Sequence, residues 1–391
     1  MRRASVAVKT RSLPAAGRAA ERFEPAADAT DGIHRRPRRF RAAMSLRPLR
    51  RLKNVTCTAQ PHVRSPAMDS SLASVPVFAD LEVYRGELTG YCYRMLGSPF
   101  DAEDAVQDTL VRGWRSLDRF EGRAALRSWL YRIATNVCLD MLKGRARRAL
   151  PMDLGPACEP IAERLNVPAD ANWIEPAPAG LLPSPDPADA IVARETIRLA
   201  LVAALQRLPP RQRAALILCE VLHWQATEAA ELLDTSVASI NSSLQRARST
   251  LAASNVSVDD APAPLGAADR ALLARFVEAF ERYDMEALTA LIREDATQSM
   301  PPYDMWLRGR DDILTWWLGP GIGCRGSRLV AAQEANGSPA FGQYKPSPGG
   351  GFEPWALQVL ELSAGRIAEF TFFLDTERLF PRFGLPARLD C

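Results

Sequence analysis

The sequence predicts a multidomain chain in which two all-α domains precede an α+β domain. Two segments, residues 100–148 and 205–248, carry apolar residues at helical spacing. Residues 355–374 instead hold two strand-like runs around a short turn, and the part from 268 onwards holds sixteen of the twenty-nine aromatic residues. A Pro-rich acidic stretch separates the two helical segments. A chain of 391 residues is long enough for two or three domains with their own cores.

A helix-turn-helix is predicted over residues 222–251. Val237, Ile240 and Leu244 form an apolar stripe on the second helix, which can pack on the first helix only if the chain turns at 234–236. The serine that ends this turn can cap the second helix through its hydroxyl. Short hydrogen-bonding side chains and then cations lie off the buried face: Ser239, Asn241, Ser242, Gln245, Arg246 and Arg248. This layout is typical of a recognition helix in a DNA major groove, although an ordinary helical hairpin with a solvated polar face shows the same pattern.

An acidic amphipathic helix is predicted over residues 102–117, with helical spacing of its apolar positions. Its predicted buried side consists of Ala102, Ala105, Val106, Thr109, Leu110, Gly113, Trp114 and Leu117. Carboxylates cluster towards its start, where they suit the positive end of the helix dipole. These carboxylates are Asp101, Glu103, Asp104 and Asp108.

A basic segment overlaps the end of this helix and continues beyond it. Residues 112–148 hold ten Lys or Arg against three acids. One helical face carries the row Arg132, Asn136, Asp140 and Lys143, and aromatic residues lie nearby at Phe120, Trp129 and Tyr131. A basic stripe with an asparagine and aromatic neighbours is typical of a surface for nucleic acid, including single strands. The alternative is an exposed basic face without a partner.

Together these segments resemble the sigma-70 family of bacterial transcription initiation factors, and within it the extracytoplasmic-function (group four) sigma factors. The resemblance rests on DAEDAVQDTLVRGW (101–114), FEGRAALRSWLYRIATNVCLDMLKGRARR (120–148) and LQRLPPRQRAALILCEVLHWQATEAAELLDTSVASINSSLQRAR (205–248), which occur in the family's order. It covers residues 75–253. The resemblance implies a cytoplasmic protein that binds core RNA polymerase and promoter DNA and initiates transcription. An anti-sigma factor is a further candidate partner, which the sequence does not identify.

The resemblance also implies roles for particular residues. The acidic helix would bind polymerase through Asp101, Glu103, Asp104 and Asp108. The melted minus-ten element would be bound by Arg123, Arg127, Arg132, Asn136, Lys143, Arg145, Arg147 and Arg148, with Asn136 reading a base edge and the cations mostly holding phosphates. The minus-thirty-five element would be bound by the six residues of the recognition helix together with Arg211 and Arg213. The chain departs from its relatives at Asp234, where glycine is common, and at Asn241, where a cation is frequent.

The C-terminal segment is predicted to open with an amphipathic helix, whose apolar side carries Leu272, Leu273, Phe276 and Phe280, and to end in a hairpin that turns at residues 363–365. This order resembles the SnoaL-like cone fold, which a sigma-G-like subset of these sigma factors carries at the C-terminus. The implied regulatory domain has a candidate pocket at Tyr303, Trp306, Trp316, Trp355 and Phe372, although aromatic stripes are usually core. No catalytic residue is predicted, because all three histidines lie outside this segment and nothing pairs its carboxylates.

Two other functions fit parts of the sequence. One is a SnoaL-like enzyme tethered to DNA, and the missing histidines and unpaired carboxylates argue against it. The other is a helix-turn-helix regulator that acts without polymerase. The basic block at 120–148 argues against that alternative, because a repressor needs no module for opened DNA.

The linker between the helical domains has an unusual composition. Residues 151–189 hold nine prolines and seven acids against the single Arg164, so an extended, negatively charged segment without helix or core is predicted. The resemblance implies that it threads the RNA path of the polymerase, with residues 173–174 as an anchor. The predicted organisation is a disordered basic extension (1–70), sigma domain two (75–148), a linker (149–189), sigma domain four (190–253), a second linker (254–267) and the SnoaL-like domain (268–385).

Other features bound the class of protein. Residues 1–67 hold sixteen Lys or Arg and four acids, a composition that would suit a basic arm on DNA. The favoured interpretation is instead that translation starts at Met44 or Met68. The sequence contains no run of eighteen apolar residues, so no membrane span is predicted. The seven cysteines are scattered without metal-ligand spacing, so reduced thiols are expected, with no metal and no cofactor.

Overall fold

The structure is a computed structural model, and it describes residues 78–120, 125–181, 198–253 and 265–390. The predicted basic extension and Arg123 lie outside the described residues, as do residues 182–189 of the first linker and 254–264 of the second. In the described ranges no helix has the length and apolar character needed to cross a membrane.

The first helical domain packs four helices around buried aromatic and aliphatic side chains. Tyr91 and Tyr131 meet edge to face with ring centroids 5.2 Å apart, and Tyr91 shares a 2.7 Å hydrogen bond with Thr135. Ser98 caps the third helix by accepting from the backbone N–H of Asp101 at 3.2 Å. The helices are α1 (Phe78–Glu82), α2 (Arg85–Leu96), α3 (Pro99–Arg115) and α4 (Leu126–Leu142).

The acidic helix α3 buries the predicted apolar side with one exception. Ala102, Val106 and Leu110 are fully buried or nearly so. The prediction for Trp114 is wrong, because this side chain is 57% exposed. One residue after the buried Gly113, it lies about 100° further round the helix and outside the stripe.

The second helical domain contains the predicted helix-turn-helix. Asp234 takes the left-handed conformation with φ 51°, and Ser236 accepts from the N–H of Ser239 at 3.2 Å, so the turn and its cap are confirmed. Ile240 and Leu244 are buried as predicted, whereas Val237 is 38% exposed. The helices are α5 (Leu199–Gln206), α6 (Pro210–Leu216, followed by a π turn at Ile217–Val221), α7 (Ala226–Leu232) and α8 (Val237–Ala252).

The described part of the linker is not simply extended, so that prediction is wrong. Strand β1 (Arg148–Ala149) pairs in parallel with β2 (Asn172–Trp173), and short 3-10 turns lie between them. Ile174 and Ala177 are fully buried. Proline prevents regular helix here. The apolar residues between the prolines nevertheless stabilise the fold when they pack on the neighbouring domains.

The C-terminal domain is a curved six-stranded sheet with helices against it. The strand order is β4-β3-β8-β7-β6-β5, and all neighbours are antiparallel except β3 and β8. The strands are β3 (Ile292–Ser299), β4 (Trp306–Arg308), β5 (Arg328–Ala331), β6 (Ala340–Pro346), β7 (Phe352–Ser363) and β8 (Arg366–Phe373). The helices are α9 (Ala267–Arg282), α10 (Met285–Leu291), α11 (Arg310–Leu318) and α12 (Thr376–Arg382).

Aromatic packing forms the core of this domain. Phe276 of α9 lies 5.6 Å from Phe280 and 5.9 Å from Phe370 between ring centroids, and all three are buried. The predicted hairpin is confirmed: β7 and β8 are joined at Ala364 and Gly365, which have φ of 52° and 69°. Two residues at positive φ match the right-handed twist of a two-residue hairpin turn.

Two carboxylates lie directly opposite each other on β7 and β8. Glu361 and Glu369 are register partners, and Arg198 of the second helical domain approaches Glu361 to 4.0 Å. Ser338 donates to Glu361 at 2.5 Å. Burial raises the pKa of Glu369 to about 7, and the neighbouring charge of Glu361 adds to this effect. The pair therefore makes the stability of these two central strands dependent on pH.

We expect the contribution of Glu369 to the free energy of unfolding to decrease as the pH rises from about 4.5 to about 7. Its folded-state pKa lies above the unfolded value of 4.5, so the folded protein holds a proton that the unfolded chain has lost. Each pKa unit corresponds to about 1.4 kcal/mol. In urea denaturation across this window, the free energy of unfolding of Glu369→Gln should fall less, or rise more, with increasing pH than that of the wild type. Glu353→Gln, an exposed control on β7, should behave as the wild type. Equal slopes for all three proteins would contradict the prediction.

Candidate nucleic-acid interface

The recognition helix α8 presents its predicted reading residues to solvent. Its buried side is formed by Ile240, Leu244 and Ala247, which pack towards α7 and α6. Glu220 pairs with the last predicted contact, Arg248, at 2.5 Å. All six predicted side chains are exposed: Ser239, Asn241, Ser242, Gln245, Arg246 and Arg248. The row offers amide, hydroxyl and guanidinium groups along one side of a single helix.

Of the two arginines predicted to flank this helix, only Arg211 is exposed. It lies 3.5 Å from the carbonyl of Leu233, at the end of α7. The prediction for Arg213 is wrong, because its side chain is buried and bonded within the protein. The signal was present in the sequence: Arg213 precedes Leu216 and Ile217 by three and four residues and therefore shares their buried face.

The Arg213 guanidinium joins the two helical domains. It donates to the side-chain oxygen of Gln206 at 2.6 Å and to the carbonyls of Gln206 and Leu208 at 3.0 and 3.1 Å. It also donates to the carbonyl of Met95, at the end of α2. Burial lowers the pKa of Arg213 to about 10, so it remains a cation at neutral pH. The Gln206 amide in turn donates to the carbonyl of Arg94 at 3.1 Å.

The predicted minus-ten row on α4 faces the second helical domain over part of its length. Arg132 is exposed, and it donates to the carbonyl of Glu231 in α7 at 2.8 Å. Asn136, one turn further along α4, is exposed to solvent. Lys143 is exposed and pairs with Asp140 at 2.6 Å.

Aromatic packing strengthens the contact between α4 and the second helical domain. Trp224 meets Tyr131 edge to face with centroids 5.2 Å apart. The Arg127 guanidinium lies 5.2 Å from the Tyr131 ring and 5.7 Å from the Trp224 ring, and it pairs with Glu87 at 2.8 Å. Sequence reasoning missed Trp224, whose local pattern gives no indication that it packs on a helix about ninety residues earlier.

Three other predicted minus-ten cations lie after α4. Arg145 and Arg148 reach Asp101 at 3.1 and 2.8 Å, so two candidate phosphate ligands neutralise a candidate polymerase contact. Arg148 is half-buried, and it also lies 3.6 Å from Glu175 in the linker. Arg147 is exposed.

The acidic surface of α3 is partly covered by the C-terminal domain. Arg382 of α12 forms a two-pronged ion pair with Glu103, with one nitrogen–oxygen distance of 2.6 Å. Arg378 and Arg382 also lie over the ring of Phe100, at 3.8 and 4.2 Å from its centroid. Asp104 remains exposed, and Asp108 pairs with Arg112 at 2.7 Å.

Four of the five predicted pocket residues line one cavity of the C-terminal domain. These four are Tyr303, Trp316, Trp355 and Phe372. The prediction for Trp306 is wrong, because this residue is buried outside the lining. Its indole N–H donates to the linker carbonyl of Gly155 at 2.9 Å, which turns the ring away from the cavity.

We expect Arg213→Ala to lower the free energy of unfolding by about 2–5 kcal/mol, since truncation leaves buried carbonyls without donors. Urea denaturation followed by circular dichroism measures the change. Arg211→Ala is the matched control on the same helix, and its effect should stay within about 0.5 kcal/mol. Small and equal effects of both substitutions would rule out the bridging role of Arg213.

Comparison with known proteins agrees with the three-part organisation. Residues 81–148 match the family model described as Sigma-70 region 2, and residues 198–251 match Sigma-70, region 4. Residues 273–370 match the SnoaL-like domain.

Individual relatives extend this likeness over most of the chain. The crystal structure of the Mycobacterium tuberculosis sigma factor SigJ superposes with a TM-score of 0.52 at 22% identity, covering 79% of this chain and 99% of that one, which supports the fold alone. The ECF RNA polymerase sigma factor SigJ of Mycobacterium tuberculosis is 29% identical over 248 residues, 62% of this chain and 72% of that protein. The ECF RNA polymerase sigma factor SigG of the same species is 43% identical over 350 residues, 87% of this chain and 91% of that protein. With that identity over nearly the whole length of both proteins, the chain belongs to the extracytoplasmic-function (ECF) RNA polymerase sigma factors and carries a C-terminal SnoaL-like domain.

Proposed function

We propose that the chain binds core RNA polymerase, directs it to specific promoters and initiates transcription, and that its C-terminal domain regulates this activity. The observation that carries the proposal is the presence of two polar rows of different chemistry in one chain. The row on α8 is fully exposed on a helix-turn-helix, whereas the row on α4 has aromatic neighbours. One suits duplex DNA and the other suits opened DNA.

The recognition helix supplies the groups that read a major groove. The amides of Asn241 and Gln245 can each bond an adenine edge in two places, and Arg246 can bond guanine or a phosphate. Their exposure means that duplex DNA needs to displace only water at these positions. The exposed Arg211 lies beside the end of α7, where a phosphate contact would fix the position of the helix.

The described arrangement supports a closed state of the sigma factor. Arg132, a proposed minus-ten contact, is bonded to Glu231 of the domain that would bind the minus-thirty-five element. Promoter elements that lie well apart on DNA require the two domains to separate. Opening must therefore break the contact between α4 and α7, together with the edge-to-face contact of Trp224 with Tyr131.

The C-terminal domain would act by covering the acidic surface of this chain that is proposed to bind polymerase. Glu103 is engaged by Arg382, and the linker carboxylate Glu175 is engaged by Arg378 at 2.8 Å. Core polymerase would have to replace these arginines with its own basic groups. The cavity of this domain is lined largely by aromatic and other apolar side chains, which suits binding, and we expect no turnover of a small molecule by this domain.

The decisive experiment for the function is reconstitution. The purified chain is mixed with core polymerase, isolated by gel filtration, and tested in run-off transcription on genomic fragments. We expect a stable complex and transcripts from a small set of start sites. Absence of the complex, or transcription identical to that of core polymerase alone, would refute the proposal.

We expect Asn136→Ala to change base preference at one minus-ten position by about 1–3 kcal/mol, because a base contact is lost. Transcription from a set of promoters with single substitutions measures this preference. Arg147→Ala is the matched control: it should weaken all promoters equally and reduce the salt dependence by about one charge. Uniform loss with Asn136→Ala would count against a reading role.

We expect Arg382→Ala to strengthen polymerase binding by about 1.4- to 5-fold, since a partly exposed ion pair contributes about 0.2–1 kcal/mol to the closed form. Titration of labelled core polymerase gives the affinity. Arg388→Ala provides the control, because Arg388 bonds the carbonyl of Gly350 within the same domain. Unchanged or weaker binding of Arg382→Ala would show that α12 does not restrain the acidic helix.

A further inference from the structure

The C-terminal domain contains a cavity of about 170 Å³ between α9, α11 and the sheet. Its walls are mainly aromatic and include Phe280, Met300, Trp316, Trp317, Trp355 and Phe372. An apolar cavity of about 150 Å³ accepts one benzene molecule. The space therefore fits a single six-membered ring with a small substituent.

One cation borders this apolar space. The Lys345 ammonium lies 3.1 Å from the centroid of the Trp355 ring, and Lys345 lines the cavity. In the part of the chain that the structure describes, its side-chain hydrogen-bond partner is the Cys324 thiol, and no carboxylate forms an ion pair with it. Glu353, its register partner on β7, accepts instead from Ser347 at 2.5 Å. Burial lowers the pKa of Lys345, so an anion beside it would offset the cost of keeping its charge.

A second donor borders the same cavity. Gln298 is buried, and its side-chain oxygen accepts from the indole N–H of Trp317 at 2.8 Å. Because an indole nitrogen only donates, this bond fixes which end of the amide is the acceptor. The Gln298 amino group, which is then the remaining donor, has no protein partner among the described residues. Lys345 and Gln298 thus both offer N–H groups to a largely apolar space.

We propose that this cavity binds a carboxylate that carries one aromatic ring. The ring lies among the tryptophans, and the carboxylate accepts from Lys345. Charge-assisted hydrogen bonds of this kind are stronger than neutral ones. Ligand binding itself does not depend on the proposed function in transcription.

The linker between the helical domains closes part of this cavity. Leu165 forms one wall, and the neighbouring Asn166 bonds Asp304 twice: its side-chain amide donates at 2.9 Å, and its carbonyl accepts the Asp304 N–H at 3.0 Å. The N–H of Cys158 donates to the Trp306 carbonyl at 2.8 Å. A ligand that contacts Leu165 only while the linker is docked must stabilise the docked linker. On the proposed function, the ligand would thereby hold the sigma factor closed.

The test uses the full chain and benzoate, with benzyl alcohol as the neutral analogue of the same ring. Calorimetry and tryptophan fluorescence measure affinity. We expect benzoate to bind about tenfold or more tightly than benzyl alcohol, and Lys345→Met to remove this preference. Arg366→Met, which removes an exposed cation from β8 of the same domain, is the control and should bind as the wild type. No benzoate binding, or equal affinity for both compounds, would overturn the proposal.

The contribution of the linker has its own readout. Benzoate should slow hydrogen exchange of residues 155–166, and Leu165→Ala should weaken benzoate binding and abolish this slowing. Binding with unchanged or faster exchange in this segment would overturn the linker step. These measurements are made without polymerase. Their results are therefore independent of the proposed function in transcription, and a negative result would not count against that function.

Discussion

The mutual packing of the two helical domains depends on one buried guanidinium, that of Arg213. Carbonyls at the end of a helix have no partner within that helix, and those of Met95 and Gln206 lie at the ends of α2 and α5. Arg213 supplies donors to both, so one side chain satisfies groups from two domains. Gly97 ends α2 with φ 71°, and a Cβ there would lie 3.2 Å from the side chains of Gln206 and Arg148. The close approach at this junction requires a residue without a side chain.

Around this junction, charged side chains that would bind polymerase or DNA are paired with other charged side chains of the same chain. Asp101 faces Arg145 and Arg148, and Glu103 faces Arg382. Each partly exposed pair contributes little to stability, about 0.2–1 kcal/mol. The closed form is therefore held at its edges by several weak contacts that a large charged partner can replace one by one, whereas the buried contacts of Arg213 and Trp224 resist opening. Such a division lets a large charged partner open the closed form, while the buried contacts keep it closed against weaker stimuli.

The features that the sequence predicted correctly are determined over short distances along the chain. The turn at Asp234, the Ser236 cap and the hairpin turn at Ala364 and Gly365 each follow from a few neighbouring residues. The burial of Phe276 and Phe280 follows from helical periodicity alone. The candidate site was less predictable, because its contacts join distant residues. Nothing local shows that Arg213 bonds Met95 or that Arg382 pairs with Glu103, separated by 118 and 279 positions. The residue type shows that these side chains are cations, but it does not indicate that their partners lie within the same chain.

The linker shows how a segment with a poor propensity for regular structure can still be ordered. Its prolines restrict the backbone before docking, which reduces the conformational entropy that docking removes. A few side chains then suffice: Ile174 is fully buried against the first helical domain, and Leu165 packs on the core of the C-terminal domain. One short segment thus contacts both the first helical domain and the C-terminal domain. Any event that releases the linker from the C-terminal domain also removes a tether from the sigma domains, and this coupling follows from connectivity without a change of fold in any domain.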